Sequence, residues 1–306
     1  MKPLILLENL SKLCAARRAF HFPNINGLFA VFDDMKYSFA PQVAVPLEHT
    51  FPKYSICITN YNSGKTIKKA ISSILPLLAS DEFEIVVVDS DSSDDSIEYL
   101  KELNLNQIVR KLSIARCSRG RGRNLSFLIS SGAYILANID MDVVYDSNKI
   151  LAAIRDYHER FEGKVLSVYG MMILPRQAAV VLGGWKDLDR HEDNELALHA
   201  YEFGLHAQNL SLKVLTEHLK DKSRNSLSRK ILESYVSFRD WFRIGLRFSD
   251  LPGNQAFHPT VLGGYFSSRF SKRYPHASFS DWWKLFVSGI ECGTVNHTEK
   301  SRLTSE

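Results

Sequence analysis

Apolar runs of strand length alternate with amphipathic stretches through the middle of the chain. Tyr54–Thr59 is the first run, after which Ile67, Ala70, Ile71, Ile74 and Leu75 recur at helical spacing from Gly64 onward. Phe83–Val88 is a second, β-branched run that ends in Asp89, and Ser92, Ser93 and Asp94 supply caps for a helix predicted over Asp95–Leu103. Gln107–Leu112 predicts a weaker strand, Arg123–Ser131 a helix, and Tyr134–Ile139 a fourth strand. A helix over Asn148–Phe161 and a strand over Leu166–Leu174 follow. Gly183-Gly184-Trp185 interrupts the pattern, Glu192–Glu202 predicts a helix stopped near Gly204, and Ala207–Leu215 alternates as a strand. Strand–helix alternation of this kind predicts a parallel, doubly wound sheet covered by helices on both faces. Such sheets bind ligands outside the carboxyl ends of their strands.

The pattern divides the chain into three parts. Residues 1–52 form an extension, with a short amphipathic helix expected over Met1–Ala19 and no clean period from His21 to Pro52. Residues 53–222 form the α/β domain. Residues 223–306 are basic, aromatic and mainly helical, with helices expected at Arg229–Phe248 and Phe279–Gly289.

Three acidic stations mark the chemistry. Asp89-Ser90-Asp91 ends one predicted strand, Asp140-Met141-Asp142 ends another, and His191-Glu192-Asp193 opens a predicted helix. Carboxylates at strand ends suit a divalent cation carrying a diphosphate, and so an enzyme that takes a group from an activated, phosphate-bearing donor. For Asp140 and Asp142 the plainer alternative is capping of the helix near Ser147. The phosphate-loop pattern GxxxxGK[ST] is absent, which disfavours a P-loop NTPase.

Composition narrows the classes. The chain has 306 residues, 45% apolar and 24% charged, and a net charge of +4, too mild for nucleic acid as a partner. Its four cysteines (Cys14, Cys57, Cys117 and Cys292) are dispersed without a CxxC pair, which fits a reducing compartment rather than a disulfide scaffold or zinc site. No apolar run reaches the roughly 18 residues of a membrane span, and Leu4–Leu7 is too short for a secretory core. A cytoplasmic protein is expected.

In their order these elements resemble a family 2 glycosyltransferase of the GT-A fold. Thr59-Asn60-Tyr61-Asn62 is similar to that family's first strand-end nucleotide motif, and Val86-Val87-Val88-Asp89-Ser90-Asp91-Ser92 to its second. Arg119-Gly120-Arg121-Gly122-Arg123-Asn124, then Gly132-Ala133-Tyr134 and Asp140-Met141-Asp142, resemble its central block and DxD motif. Gly183-Gly184-Trp185 and Glu192-Asp193-Asn194-Glu195-Leu196 resemble its acceptor segment and catalytic ED motif. The likeness covers about residues 54–220. It departs where Ser90 stands for a frequent aspartate, Thr59 for a frequent proline, and Asn138 intrudes in an ordinarily apolar strand.

The resemblance implies a GT-A-type, Rossmann-like, mostly parallel sheet over 53–222 and a set of roles. Asp140 and Asp142, with His218 as a candidate third ligand, would hold Mn2+ or Mg2+. Thr59, Tyr61, Asn62, Asp89, Asp91, Arg123 and Asp140 would bind a nucleotide-diphosphate sugar of UDP or GDP type. Asp193 would be the general base of an inverting transfer, with Glu192 beside it on an acceptor hydroxyl. Trp185 would stack on an acceptor sugar, or else pack in the core. Lys220, Lys222 and Arg224 are candidate clamps on the diphosphate, or a solvated basic loop.

Glycan or lipid-linked acceptors are the implied partners. Tyr235, Phe238, Trp241, Phe242 and Phe248 among Arg239, Arg243 and Arg247, with Trp282, Trp283, Leu285 and Phe286 around Lys284, fit a peripheral contact at the inner face of a membrane. Packing on the domain, or a dimer contact, is the alternative. Rival functions are a nucleotidyltransferase, for which Asn60–Lys65 is a poor match to the expected Gly-rich basic motif, and a non-catalytic sugar-nucleotide- or glycan-binding protein, against which intact Asp140, Asp142 and Asp193 speak.

Overall fold

The structure, a computed structural model, describes residues 52–219, 226–251 and 255–288. The expectations for the N-terminal extension, and for Lys220, Lys222 and Arg224, lie outside those residues.

The elements of the α/β part are β1 (Tyr54–Asn60), α1 (Ile67–Ile74), β2 (Phe83–Asp89), α2 (Ser96–Leu105), β3 (Lys111–Ile114), α3 (Arg119–Ile129), β4 (Tyr134–Asp140), β5 (Val143–Tyr145), α4 (Ser147–Asp156), β6 (Val165–Tyr169), β7 (Met171–Pro175), α5 (Arg176–Val181), α6 (Glu192–Glu202), β8 (His206–Lys213) and β9 (Leu215–His218). The tail adds α7 (Leu227–Ile244), α8 (Pro259–Arg269) and α9 (Phe279–Ser288).

A seven-stranded sheet runs in the order β3-β2-β1-β4-β7-β6-β8. β1 pairs parallel with β2 and β4, β2 with β3, and β6 with β8, while β7 lies antiparallel to both its neighbours. The sheet is therefore mixed and mostly parallel. β5 and β9 form a separate antiparallel ribbon.

Strand alternation divides the core between the two faces. Ile56, Ile58, Ile85, Val87, Leu136 and Ile139 bury against Ile67, Ala70, Ile71 and Ile74 of α1 and Ile150, Ala153 and Ile154 of α4. Cys57, Ile135, Ala137, Met172 and Leu174 face the other way, onto Leu196, Ala197 and Ala200 of α6 and Trp241, Phe242 and Ile244 of α7. Each fully buried isoleucine contributes about 1.5–3 kcal/mol, so the apolar runs that mark β1, β2 and α1 in the sequence also hold them together.

The structure divides several predicted elements. Leu166–Leu174 is a hairpin, β6 and β7, turned at Gly170 with φ +100°. The run to Leu215 ends in the main sheet at Lys213, and β9 then leaves to pair with β5, too short to be visible in the sequence. α4 passes into one π turn over Tyr157–Phe161, and α7 stops at Ile244, with Gly245 at φ +128°. α5 and α8 have no clean sequence period and were not expected.

The tail corrects the membrane reading for its key side chains. Trp241, Phe242 and Trp282 are buried in the core on the α6 face, and Arg243 is buried beside Asp240. They pack on the domain instead of facing outward. Among the described residues no helix is long and apolar enough to cross a membrane.

Candidate active site at the strand ends

β1, β2 and β4 end side by side: Asn60 pairs with Asp89, and Thr59 with Asp140. Asp89 is fully buried. Its Oδ2 accepts from Asn60 Nδ2 at 2.6 Å and Ser92 Oγ at 2.8 Å, and its Oδ1 from Ser92 N at 2.7 Å. Asp89 thus ties the ends of two strands together and is closed to a bound base. The two loops that follow interlock, since Asn62 N donates to Ser92 Oγ at 2.9 Å and Ser93 N to Asn62 Oδ1 at 2.8 Å. Asn62 and Asp91 both sit at positive φ, +49° and +64°, a region that asparagine and aspartate tolerate best among non-glycine residues. Tyr61 is 60% exposed, Asp91 is exposed and Thr59 half-buried. Of the predicted nucleotide residues, these three together with Asn62 and Asp140 leave surface for a ligand, and Asp89 and Arg123 do not.

Asp140 and Asp142 flank the turn from β4 to β5. The cap of α4 falls to Asp146, whose carboxylate accepts from the amides of Asn148 and Lys149 at 3.0 and 3.2 Å. The helix-capping alternative for Asp140 and Asp142 is thereby removed. In the ribbon Val143 pairs with His218, and Leu219 N donates to the Asp142 carbonyl at 2.7 Å, which brings β9's histidine beside the DxD turn. The Asp140 side chain is 40% exposed and His218 is exposed. Among the described residues no three His, Cys, Asp or Glu side chains stand close enough to enclose a metal by themselves. Asp140 and His218 line one cleft and Asp142 is half-buried on the turn beside them, so a cation there would take most of its ligands from phosphate oxygens and water.

The approach to α6 is held by two helices, α3 and α7. Gly120 lets α3 start against the loop: a Cβ there would lie 1.8 Å from the Lys186 carbonyl, and its amide donates to the Leu188 carbonyl at 2.9 Å. Asn124 accepts from Trp185 N at 3.0 Å across Gly184, whose φ is +62° and where a Cβ would meet that same Asn124 oxygen. From α7, the buried Asp240 accepts from the amides of Asp189 and Arg190, both at 3.0 Å. The same carboxylate takes Arg239 Nε at 2.9 Å and Arg243 Nη1 at 3.0 Å.

His191 begins α6 at φ +62°, stacked on Trp241 with ring centroids 3.9 Å apart. Burial pushes its pKa down to about 4, against the opposing pull of Asp193 and Asp240. The neutral ring accepts from Asn194 Nδ2 at 3.3 Å on Nδ1, which leaves Nε2–H to meet Ser237 Oγ at 2.6 Å.

Glu192 and Asp193 part company. Glu192 is buried and accepts from Arg123 Nε at 2.7 Å. Burial raises its pKa, and the Arg123 charge opposes the rise. Arg123 is itself buried, with Nη2 3.7 Å from Asp140 Oδ1. Burial alone disfavours its charge, but Glu192, Asp140 and Asp193 outweigh that and raise its pKa. Placement therefore corrects two expectations: Glu192 is enclosed away from any acceptor, and Arg123 is spent on Glu192 and Asp140 instead of lying open to a nucleotide.

Trp185 is a third correction. It is 2% exposed, packed with Phe127 in the core, and cannot stack on a sugar. Asp193 is half-buried, with Oδ1 accepting from Asn194 N at 2.8 Å and Oδ2 from Asn138 Nδ2 at 3.2 Å.

Asp140, Asp193 and His218 line one cleft of about 250 Å³ together with Asn138 and Asn194. Ser167 of β6, His206 and Gln208 of β8, and Trp282 of α9 complete its wall. Sequence reasoning missed Asn138 as a site residue, although its polar intrusion in an apolar strand was the available signal. It also missed Asp240, Gln208 and Trp282, which come from segments with no motif.

Residues 55–171 match the sequence profile described as Glycosyl transferase family 2. An uncharacterized glycosyltransferase of Nostoc sp. (strain PCC 7120) is 32% identical over 100 residues, 32% of this chain and 30% of the relative. An uncharacterized protein of Mycobacterium tuberculosis (strain CDC 1551) is 57% identical over 44 residues, 14% of either chain. The chain thus spans less than a third of the curated relatives it matches. The mannosyltransferase of Pyrobaculum calidifontis, solved with GDP-Man and Mn2+, superposes with a TM-score of 0.53 at 15% identity, over 86% of both chains. That likeness concerns the fold.

Proposed function

We propose that this chain, whose residues 55–171 match the glycosyl transferase family 2 profile, moves a sugar from a nucleotide-diphosphate donor to an acceptor hydroxyl with inversion. The observation that carries the reading is the convergence of Asp140, His218 and Asp193, remote in sequence, on one cleft at the strand ends.

The donor's nucleotide would lie across the ends of β1 and β2, on Tyr61, Thr59 and Asp91, with its diphosphate toward the DxD turn. Asp140, Asp142 and His218 would hold Mn2+ or Mg2+, which supplies neutralisation of the charge that builds on the leaving diphosphate. Asp193 takes the proton of the acceptor hydroxyl as its oxygen attacks the anomeric carbon. The bond from that carbon to the phosphate oxygen breaks on the opposite side, and its electron pair leaves with the nucleotide diphosphate. Glu192 and Arg123 act from below: a buried ion pair fixes the first turn of α6 and keeps a positive charge near Asp140. The acceptor is a glycan or a lipid-linked hydroxyl compound.

A thermal-shift panel of UDP and GDP sugars, each with Mn2+ or Mg2+, tests the donor. A ligand that binds only the folded chain raises its melting temperature, by RT ln(1 + [L]/Kd) in free energy. We expect one donor class to raise it in the presence of metal and to release nucleotide diphosphate on turnover. Release of pyrophosphate from a nucleoside triphosphate would instead identify a nucleotidyltransferase, and no shift with any donor would remove the proposal.

A further inference from the structure

β4 carries a bulge at its carboxyl end. Its register with β1 runs Ile56 to Leu136 and then Ile58 to Ile139, so Ala137 and Asn138 together oppose Cys57. Leu136 and Ile139 both face the α1 side, and Ile135 and Ala137 the α6 side. Asn138 is the additional residue that keeps Ile139 on its own face. It sits at φ +64°, where glycine, asparagine and aspartate are at home and other residues are strained.

The bulge is stitched in place. Tyr145 Oη donates to the Asn138 carbonyl at 3.3 Å and accepts from the Asp140 amide at 2.8 Å, which spans the residues on either side of Ile139. The amide side chain of Asn138 lines the cleft, and its Nδ2 reaches Asp193 Oδ2 at 3.2 Å. Asp193 Oδ1 is already engaged by the amide of Asn194. One carboxylate oxygen is thus held by its own helix and the other by the sheet.

We propose that Asn138 is a positioning residue: the β4 bulge exists to hold its amide against Asp193, fixing the carboxylate's rotamer toward the reacting centre. This rests on Asp193 being the general base. A carboxylate free to rotate spends only part of its time in line with an acceptor hydroxyl, and small misplacements at a reacting centre are costly in rate.

Two substitutions separate side chain from backbone. Asn138→Gly deletes the amide and keeps the positive φ. Asn138→Asp keeps the backbone preference but sets a carboxylate against a carboxylate. Steady-state nucleotide-diphosphate release is measured for both, with the donor active in the panel (UDP-glucose, UDP-N-acetylglucosamine or GDP-mannose), alongside melting temperature and Asp193→Asn. We expect kcat to fall roughly tenfold or more in both variants, with donor KM within about twofold and the melting temperature of Asn138→Gly nearly unchanged. Adding Asn138→Gly to Asp193→Asn is expected to cost nothing further. Wild-type kcat in Asn138→Gly, or a loss carried by donor KM or by unfolding in both variants, overturns the inference while Asp193→Asn remains inactive. An active Asp193→Asn overturns the base assignment, and the positioning role with it.

Discussion

Arg123 donates to Glu192 across 2.7 Å with both side chains buried, and its other end stands 3.7 Å from Asp140. One guanidinium therefore joins the start of the helix that bears the proposed base to the strand end that bears the DxD motif. Removing one member of a buried pair leaves an uncompensated charge, at a cost of about 3–5 kcal/mol. Arg123→Met is expected to lower unfolding free energy by that order in urea titration and to abolish nucleotide-diphosphate release. Glu192→Gln, which keeps an acceptor for Arg123 Nε, is expected to be milder on both counts. A stable, active Arg123→Met chain would show that the pair is dispensable.

Asp240 holds the segment before α6 from α7. Its carboxylate accepts from two loop amides and from Arg239 and Arg243, all while fully buried. Asp240→Ala leaves those donors unpaired, and we expect a loss of about 3 kcal/mol or more in stability. Because the loop leads to Asp193 and not to β1 or β2, donor affinity by calorimetry should survive in the folded fraction while turnover falls. Equal loss of both would place Asp240 in the general framework only.

His276 links the tail to α6 through Glu195 Oε1 at 3.0 Å and Glu202 Oε2 at 2.7 Å. Burial lowers its pKa, but the hydrogen bonds to Glu195 and Glu202 outweigh this and push it up to about 9, from 6.5. A raised folded-state pKa means that the stabilisation is fully present below about pH 6.5 and is lost as pH rises through about 9. At 1.36 kcal/mol per unit the effect is on the order of 3 kcal/mol, counted once for the cluster. Urea unfolding of the wild-type chain should weaken between pH 7 and 9.5, whereas His276→Gln should start lower and change less. Parallel curves for the two would contradict the ion pair.

Metal dependence follows from the Asp140, Asp142 and His218 set. Treatment with EDTA is expected to remove the donor-induced rise in melting temperature, and Mn2+ or Mg2+ to restore it. In Asp142→Ala the restoration should fail. A donor response that EDTA leaves intact would mean that the diphosphate is held without a cation.

Much of the framework is legible in the sequence because it rests on local periodicity. The apolar runs at Tyr54, Phe83 and Tyr134 give β1, β2 and β4, and the glycine near 204 ends α6, with Gly204 at φ +66°. What escaped depends on long-range pairing. β5 is three residues long and exists only because β9 crosses to it. The acidic motifs were visible as motifs, but not which oxygens face solvent: Asp89 and Glu192 satisfy neighbours, while Asp140 and Asp193 line the cleft. Trp185 carries the same sequence signal whether it stacks on a ligand or fills a core. Tertiary packing alone decides, and here it is buried beside Phe127.

The most direct measurement compares donor binding and turnover in Asp193→Asn. Calorimetry with the donor and metal found in the thermal-shift panel reports the first, and nucleotide-diphosphate release the second. The account predicts donor affinity within about twofold of wild type and transfer reduced by roughly a hundredfold or more, the upper part of the range for a lost acid–base group. Normal turnover in that variant would contradict the assignment of the base and the cleft built around it.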